Sequence, residues 1–143
     1  EYLRNQASES GEVIDYRDWH VQLGRRFRSL KLWFVLRHYG VQGLQYHIRY
    51  HVKLAGELAQ WILDSGDFEL LLPPPLNLVC FRYKGSDEEN MALMQKVNNQ
   101  GKIFFTHTKL NGRVALRLCI AQTHTTGEDV ALAWQIIRSA VPV

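Results

Sequence analysis

The 143-residue chain contains only two cysteines, four prolines and ten glycines. That composition excludes a disulfide-dense secreted scaffold and a collagen-like repeat. Long apolar runs are also missing: the longest, residues 32–36, falls far short of the roughly 20 residues that span a bilayer. No signal peptide is read at the start, so the expected protein is soluble and cytoplasmic, with no membrane partner. The first residue is Glu1 rather than Met, which suggests a piece of something longer. No glycine-rich phosphate loop, CxxC or GxSxG occurs, so nucleotide, redox and hydrolase chemistries lack their minimal residues. What is present is 46% hydrophobic and 22% charged, enough apolar side chain for a core and too much for a disordered segment.

Acidic residues are scarce where basic ones gather. The net charge is +3, and Arg25, Arg26, Arg28, Lys31, Arg37, Arg49 and Lys53 follow one another with no Asp or Glu between them. Such a block suits either a phosphate-binding face or a pair of helices whose guanidinium groups meet acids elsewhere in a larger protein. Apolar residues interrupt it throughout, which favours the second reading. Cys80 and Cys119 lie in apolar, strand-like runs and read as buried reduced thiols.

Residues 1–22 are polar, lack a sustained period and place Ser8, Ser10 and Gly11 among acids, as a mobile loop would. From residue 25 good helix formers take over, with Phe27, Leu30 and Phe34 on one stripe. At Leu32, Trp33, Val35 and Leu36 the helix becomes apolar all round, which predicts enclosure by protein. Gly40 supplies a stop, and Val41, Leu44, Ile48, Val52, Ala55, Leu58 and Ile62 mark a second helix ending near Gly66. Residues 68–72 and 76–84 read as strands parted by Pro73, Pro74 and Pro75. Ser86 with Glu89 has capping-box spacing and opens a helix to Asn98, with Met91, Met94 and Val97 inward. Asn111-Gly112 predicts a hairpin joining residues 102–110 to 113–121, where Val114, Leu116, Leu118 and Ile120 share a face. Thr125 with Glu128 repeats the capping-box spacing before a last helix carrying Val130, Trp134 and Ile137. The predicted fold is α+β: two helices, then β-β-α-β-β-α.

Chemistry-bearing constellations are few. His47 and His51 stand four apart on a predicted helix, the spacing that lets two imidazoles meet one metal, but no third ligand lies near and position 48 is Ile. No metal site is expected. Tyr2, Asp15, Tyr16, Arg17 and His20 form a titratable cluster in the leading segment, where a solvated loop and a catalytic one would look alike.

The stretch from Asp15-Tyr-Arg-Asp-Trp-His through Leu23-Gly24-Arg-Arg-Phe-Arg28 to Val35-Leu-Arg-His-Tyr-Gly40 is more specific. It resembles the group II pyridoxal-phosphate-dependent decarboxylases, which act on aromatic amino acids and histidine. The likeness continues through Leu78-Val-Cys-Phe-Arg82, Lys84-Gly-Ser86 and Leu116-Arg-Leu118, and corresponds to the C-terminal portion of the family's subunit. The resemblance implies a fold type I enzyme part: residues 1–22 ending a mobile catalytic loop, 23–65 forming helices that lead out of the large domain, and 66–143 a small C-terminal α/β domain.

It also implies a carboxy-lyase that converts an aromatic L-amino acid to the amine and CO2 on pyridoxal 5'-phosphate. In the family a loop tyrosine protonates Cα, and Tyr2-Leu3-Arg4 matches its segment, which makes Tyr2 the candidate catalytic residue. Relatives that form aldehydes tend to carry phenylalanine there. Leu23 and Gly24 match the substrate-pocket turn, while Asp15, Arg17 and Arg28 match residues that support the loop and the dimer interface. No histidine is followed by lysine, so the family's cofactor lysine is absent from this chain, and Lys31 sits in a helix motif instead. The expected partners are therefore the N-terminal portion of the same subunit and a second copy in a homodimer. This chain alone is expected to bind no cofactor and to be inactive. Two other readings are a non-catalytic dimerisation domain and a basic nucleic-acid module. The second lacks the aromatic pattern of an RNA-binding sheet at Phe81, Tyr83, Phe104 and Phe105, so no nucleic-acid partner is expected.

Overall fold

The computed structural model describes residues 10, 11 and 27–141 and divides the chain into two units, residues 1–40 and 41–143. Helix α1, Ser29–Asp64, runs through the division at Gly40, whose backbone (φ 63, ψ 177) is not helical. The two expected helices are thus two arms meeting at a glycine in a region that L side chains essentially never enter.

In the second unit the strands are β1 (Phe68–Leu70), β2 (Leu78–Tyr83), β3 (Thr106–Leu110) and β4 (Arg113–Cys119). They form one antiparallel sheet in the order β1-β2-β4-β3. The first two strands are shorter than expected because the triple proline interrupts the ladder between them, although the Leu71 N–H still reaches the Cys80 carbonyl at 3.0 Å. Asn111 (φ 51) and Gly112 (φ 79) make the hairpin turn, each with the positive φ that a type I′ turn needs. Register places Phe68, Val79, Phe81, Val114, Leu116 and Leu118 on one face, all buried.

Helices α2 (Asp87–Asn98) and α3 (Gly127–Ser139) complete the core, together with the second arm of α1. Leu93 and Val97 from α2, Val130, Trp134 and Ile137 from α3, and Leu54, Leu58 and Ile62 from α1 join the sheet side chains in one cluster. Met91 and Met94, expected inward, pack at the cluster's margin, while Leu93 and Asn90 take the buried positions of α2. Both helices open on capping boxes. That of α2 is Ser86 with Glu89, as the spacing predicts. That of α3 is Thr126 with Asp129, one residue later than expected, because the Thr125 N–H is already engaged at the Gln122 carbonyl, 3.0 Å away.

One burial expectation is corrected. Cys80 is buried, but Cys119 is exposed at the end of β4. Along the apolar stretch of α1, Leu32 is 60% exposed, Trp33 54% and Phe34 57%, so the described residues of this chain do not supply its cover.

Candidate functional site

Tyr2, Asp15, Arg17, Leu23 and Gly24 lie outside the described residues. Arg28 is described: it is exposed in the turn before α1, where its carbonyl accepts the Lys31 N–H at 3.1 Å. Lys31 lies in the first turn of the helix and is exposed as well. Beyond it Trp33 and Phe34 meet edge to face at 5.2 Å, and the Arg37 guanidinium lies 5.9 Å from the Trp33 ring centre. The exposed apolar turns thus carry aromatic rings with a cation beside them.

In the second arm of α1 the rings of His47 and His51 are 6.2 Å apart. His51 is buried, and its Nε2 lies 3.2 Å from the Gln122 carbonyl. A carbonyl only accepts, so Nε2 carries the proton and donates. His51 therefore fastens the 120–126 loop, and among the described residues no group of His, Cys, Asp and Glu is arranged for a metal. Tyr46 stacks on Tyr50 at 5.9 Å, and the Tyr50 hydroxyl accepts the Gly127 N–H at 3.2 Å, fixing the start of α3.

The sheet end that follows β2 holds a polar network with no clear mark in the sequence. Arg82 is 2% exposed. Its Nη1 donates to the Val114 carbonyl and to Asp87 Oδ1, both at 3.2 Å, and its Nη2 donates to the Gly85 carbonyl at 2.7 Å. Asp87 Oδ1 also accepts the Val114 N–H at 3.0 Å. Asn90 accepts the Tyr83 N–H at 2.8 Å and donates to the Tyr83 and Ser86 carbonyls. The Val114 N–H holds the Asp87 carboxyl below its ordinary range, and Arg82 adds to the effect. Asp129 is held low by the Thr126 N–H it accepts in the α3 cap. The donors of Arg82 and Asn90 are spent on backbone carbonyls and on Asp87, so the network joins β2, β4 and α2. The motif residues Arg82, Gly85 and Ser86 thus have a folding reason for their identity. A Cβ at Gly85 would come within 2.7 Å of the Tyr83 ring.

Three lysines of the second unit are engaged within it. Lys84 donates to the Gly66 carbonyl at 2.6 Å, Lys96 to the Ala140 carbonyl at 3.1 Å, and Lys53 pairs with Glu57. None of these three lines the two grooves beside the end of α1 and α3. No helix among the described residues is long and apolar enough to cross a membrane.

The profile of the pyridoxal-dependent decarboxylase conserved domain matches residues 1–84. Tyrosine decarboxylase 2 of Narcissus pseudonarcissus is 41% identical over the whole of this chain and 30% of its own length. Phenylacetaldehyde synthase of Arabidopsis thaliana is 44% identical over 96% of this chain and 30% of its own length. Among solved structures, Oryza sativa TDC with PLP and tryptamine superposes with a TM-score of 0.77 at 40% identity, covering 98% of this chain and 31% of that one. The chain belongs to the pyridoxal-dependent decarboxylase family, and its α+β arrangement is that of a part of these enzymes. It spans about 30% of the length of the relatives it matches.

Proposed function

We propose that the complete protein is a pyridoxal 5'-phosphate-dependent carboxy-lyase that converts an aromatic L-amino acid to its amine and CO2. The observation that carries this reading is the match along the whole chain to a tyrosine decarboxylase, together with a tyrosine at position 2. When bound, the cofactor supplies the electron sink for the bond to CO2, and its ligands come from outside the described residues. Tyr2 hands a proton from its hydroxyl to the substrate Cα after CO2 leaves. Carried on the catalytic loop that residues 1–22 end, it arrives with closure, which also excludes water from the reacting carbon. Leu23 and Gly24 bound the space for the aromatic ring, and Asp15, Arg17 and Arg28 steady the loop and the dimer interface. Residues 23–65 lead out of the large domain, and residues 66–143 form the small C-terminal domain. The exposed side chains of Leu32, Trp33 and Phe34 are covered by the N-terminal portion of the same subunit or by the second copy of a cytoplasmic homodimer. Exposed apolar surface of this kind usually marks an interface.

Formation of an aldehyde, with consumption of oxygen, is the second reading, favoured by the likeness to phenylacetaldehyde synthase. Tyr2→Phe in the complete protein separates the two. If Tyr2 is the proton donor, amine formation falls at least about a hundredfold, the scale of a lost general acid, while the cofactor absorbance stays. An unchanged amine rate refutes the role of Tyr2.

A further inference from the structure

The second unit carries two adjoining grooves, of about 370 and 400 Å3, between the end of α1, the turn into β1 and the outer side of α3. They share Trp134, Gln135 and Arg138. The floor is rigid: Trp134 packs edge to face on Phe68 at 5.0 Å and on Phe81 at 6.4 Å. The larger groove is lined by Asp67 and Arg138, with Phe68, Trp134 and Val141 supplying apolar surface. Among the described residues neither the Asp67 carboxylate nor the Arg138 guanidinium has an ion pair or a side-chain hydrogen bond. The neighbouring polar groups are committed: Asp64 Oδ1 accepts from Gln60 at 2.9 Å, Ser65 Oγ donates to the Ile62 carbonyl at 2.7 Å, and Lys84 is tied to the Gly66 carbonyl. One unspent negative charge, one unspent positive charge and an aromatic floor therefore share a single concave surface.

We propose that this groove binds a free amino acid with an aromatic side chain, its ammonium group on Asp67, its carboxylate on Arg138 and its ring against Trp134. An amine satisfies only Asp67 and a carboxylic acid only Arg138, whereas an amino acid zwitterion uses both charges. Bidentate contact suits the guanidinium to a carboxylate. The ring gains offset or edge contact with the indole. Because the groove is open, affinity is modest, with a dissociation constant on the order of a millimolar. The assignment stands on the groove alone and does not depend on the proposed activity.

The test uses the intact protein after borohydride treatment, which stops turnover if the cofactor reading holds and changes nothing if it does not. The indole N–H signals of Trp61 and Trp134, assigned by their loss in Trp61→Phe and in Trp134→Phe, are followed by NMR during titration with L-phenylalanine, 2-phenylethylammonium and 3-phenylpropanoate. The expected result is a saturable shift of the Trp134 signal with L-phenylalanine. Each half-charged analogue binds about three- to fivefold more weakly, the scale of one exposed ion pair. Asp67→Asn and Arg138→Gln each weaken L-phenylalanine by the same factor. An unmoved Trp134 signal, equal binding of all three compounds, or full affinity in either variant overturns the proposal. Failure of the decarboxylase reading would show separately, as no amine formed by the untreated protein.

Discussion

Arg82 sits in the strand run Leu78–Tyr83, where period-two alternation allots it to the sheet face opposite the core and so to solvent. Its burial comes from the turn after β2 and the first residue of α2, which close over it. That closure is a tertiary event with no local signal. Asp87 does legible work as a first-turn acid of α2, but its bond to the Val114 N–H across the sheet is not in the local pattern. Its carboxyl is held low by that N–H and by Arg82, so the folded state binds the proton less readily than the unfolded chain. The stabilisation is therefore present above the ordinary carboxylate range and is lost as pH falls through and below that range. In Asp87→Asn the amide oxygen still accepts from Val114 but the charge facing Arg82 is gone. Urea midpoints measured from pH 7 down to pH 3 should start lower in the variant and fall less steeply. Parallel curves would contradict this role.

At the scale of elements, the capping boxes show what spacing resolves and where it stops. Ser86 with Glu89 is unique in its stretch, so α2 starts where the sequence says. Before α3 the sequence Thr125-Thr126-Gly127-Glu128-Asp129 offers two boxes one residue apart. The structure selects Thr126 with Asp129 because Thr125 is held in a turn on Gln122 and Gly127 is held by Tyr50. Thr126→Ala should therefore cost about 1 kcal/mol of stability and Thr125→Ala close to none. Thermal or urea denaturation of the pair decides it, and the reverse order would return the cap to Thr125. The hairpin at Asn111-Gly112 was legible for a like reason: few residues other than these adopt two successive positive φ angles. The shortened β1 was not, since Leu71 and Leu72 carry strand-like apolarity, and Leu71 even keeps its N–H on the Cys80 carbonyl although the strand ends at Leu70.

For the whole molecule, periodicity located the core of the second unit well: Val114, Leu116, Leu118 and Ile120 on one face, and Val130, Trp134 and Ile137 on one helix, are buried. For residues 32–36 it states a need for cover without saying what provides it, and the described residues of this chain leave them exposed. The site was less legible than the fold. Tyr2, Leu23 and Gly24 form no spaced motif of known chemistry, and their roles follow only from likeness to a family. The groove at Asp67 and Arg138 joins residues 71 positions apart, which no local reading brings together. The central claim is the activity of the complete protein, and the most direct measurement is its product balance with aromatic L-amino acids and added pyridoxal 5'-phosphate. The account predicts amine and CO2 in equal amounts with no oxygen consumed. Aldehyde and ammonia formed with oxygen uptake, or no CO2 from any aromatic amino acid, would contradict it.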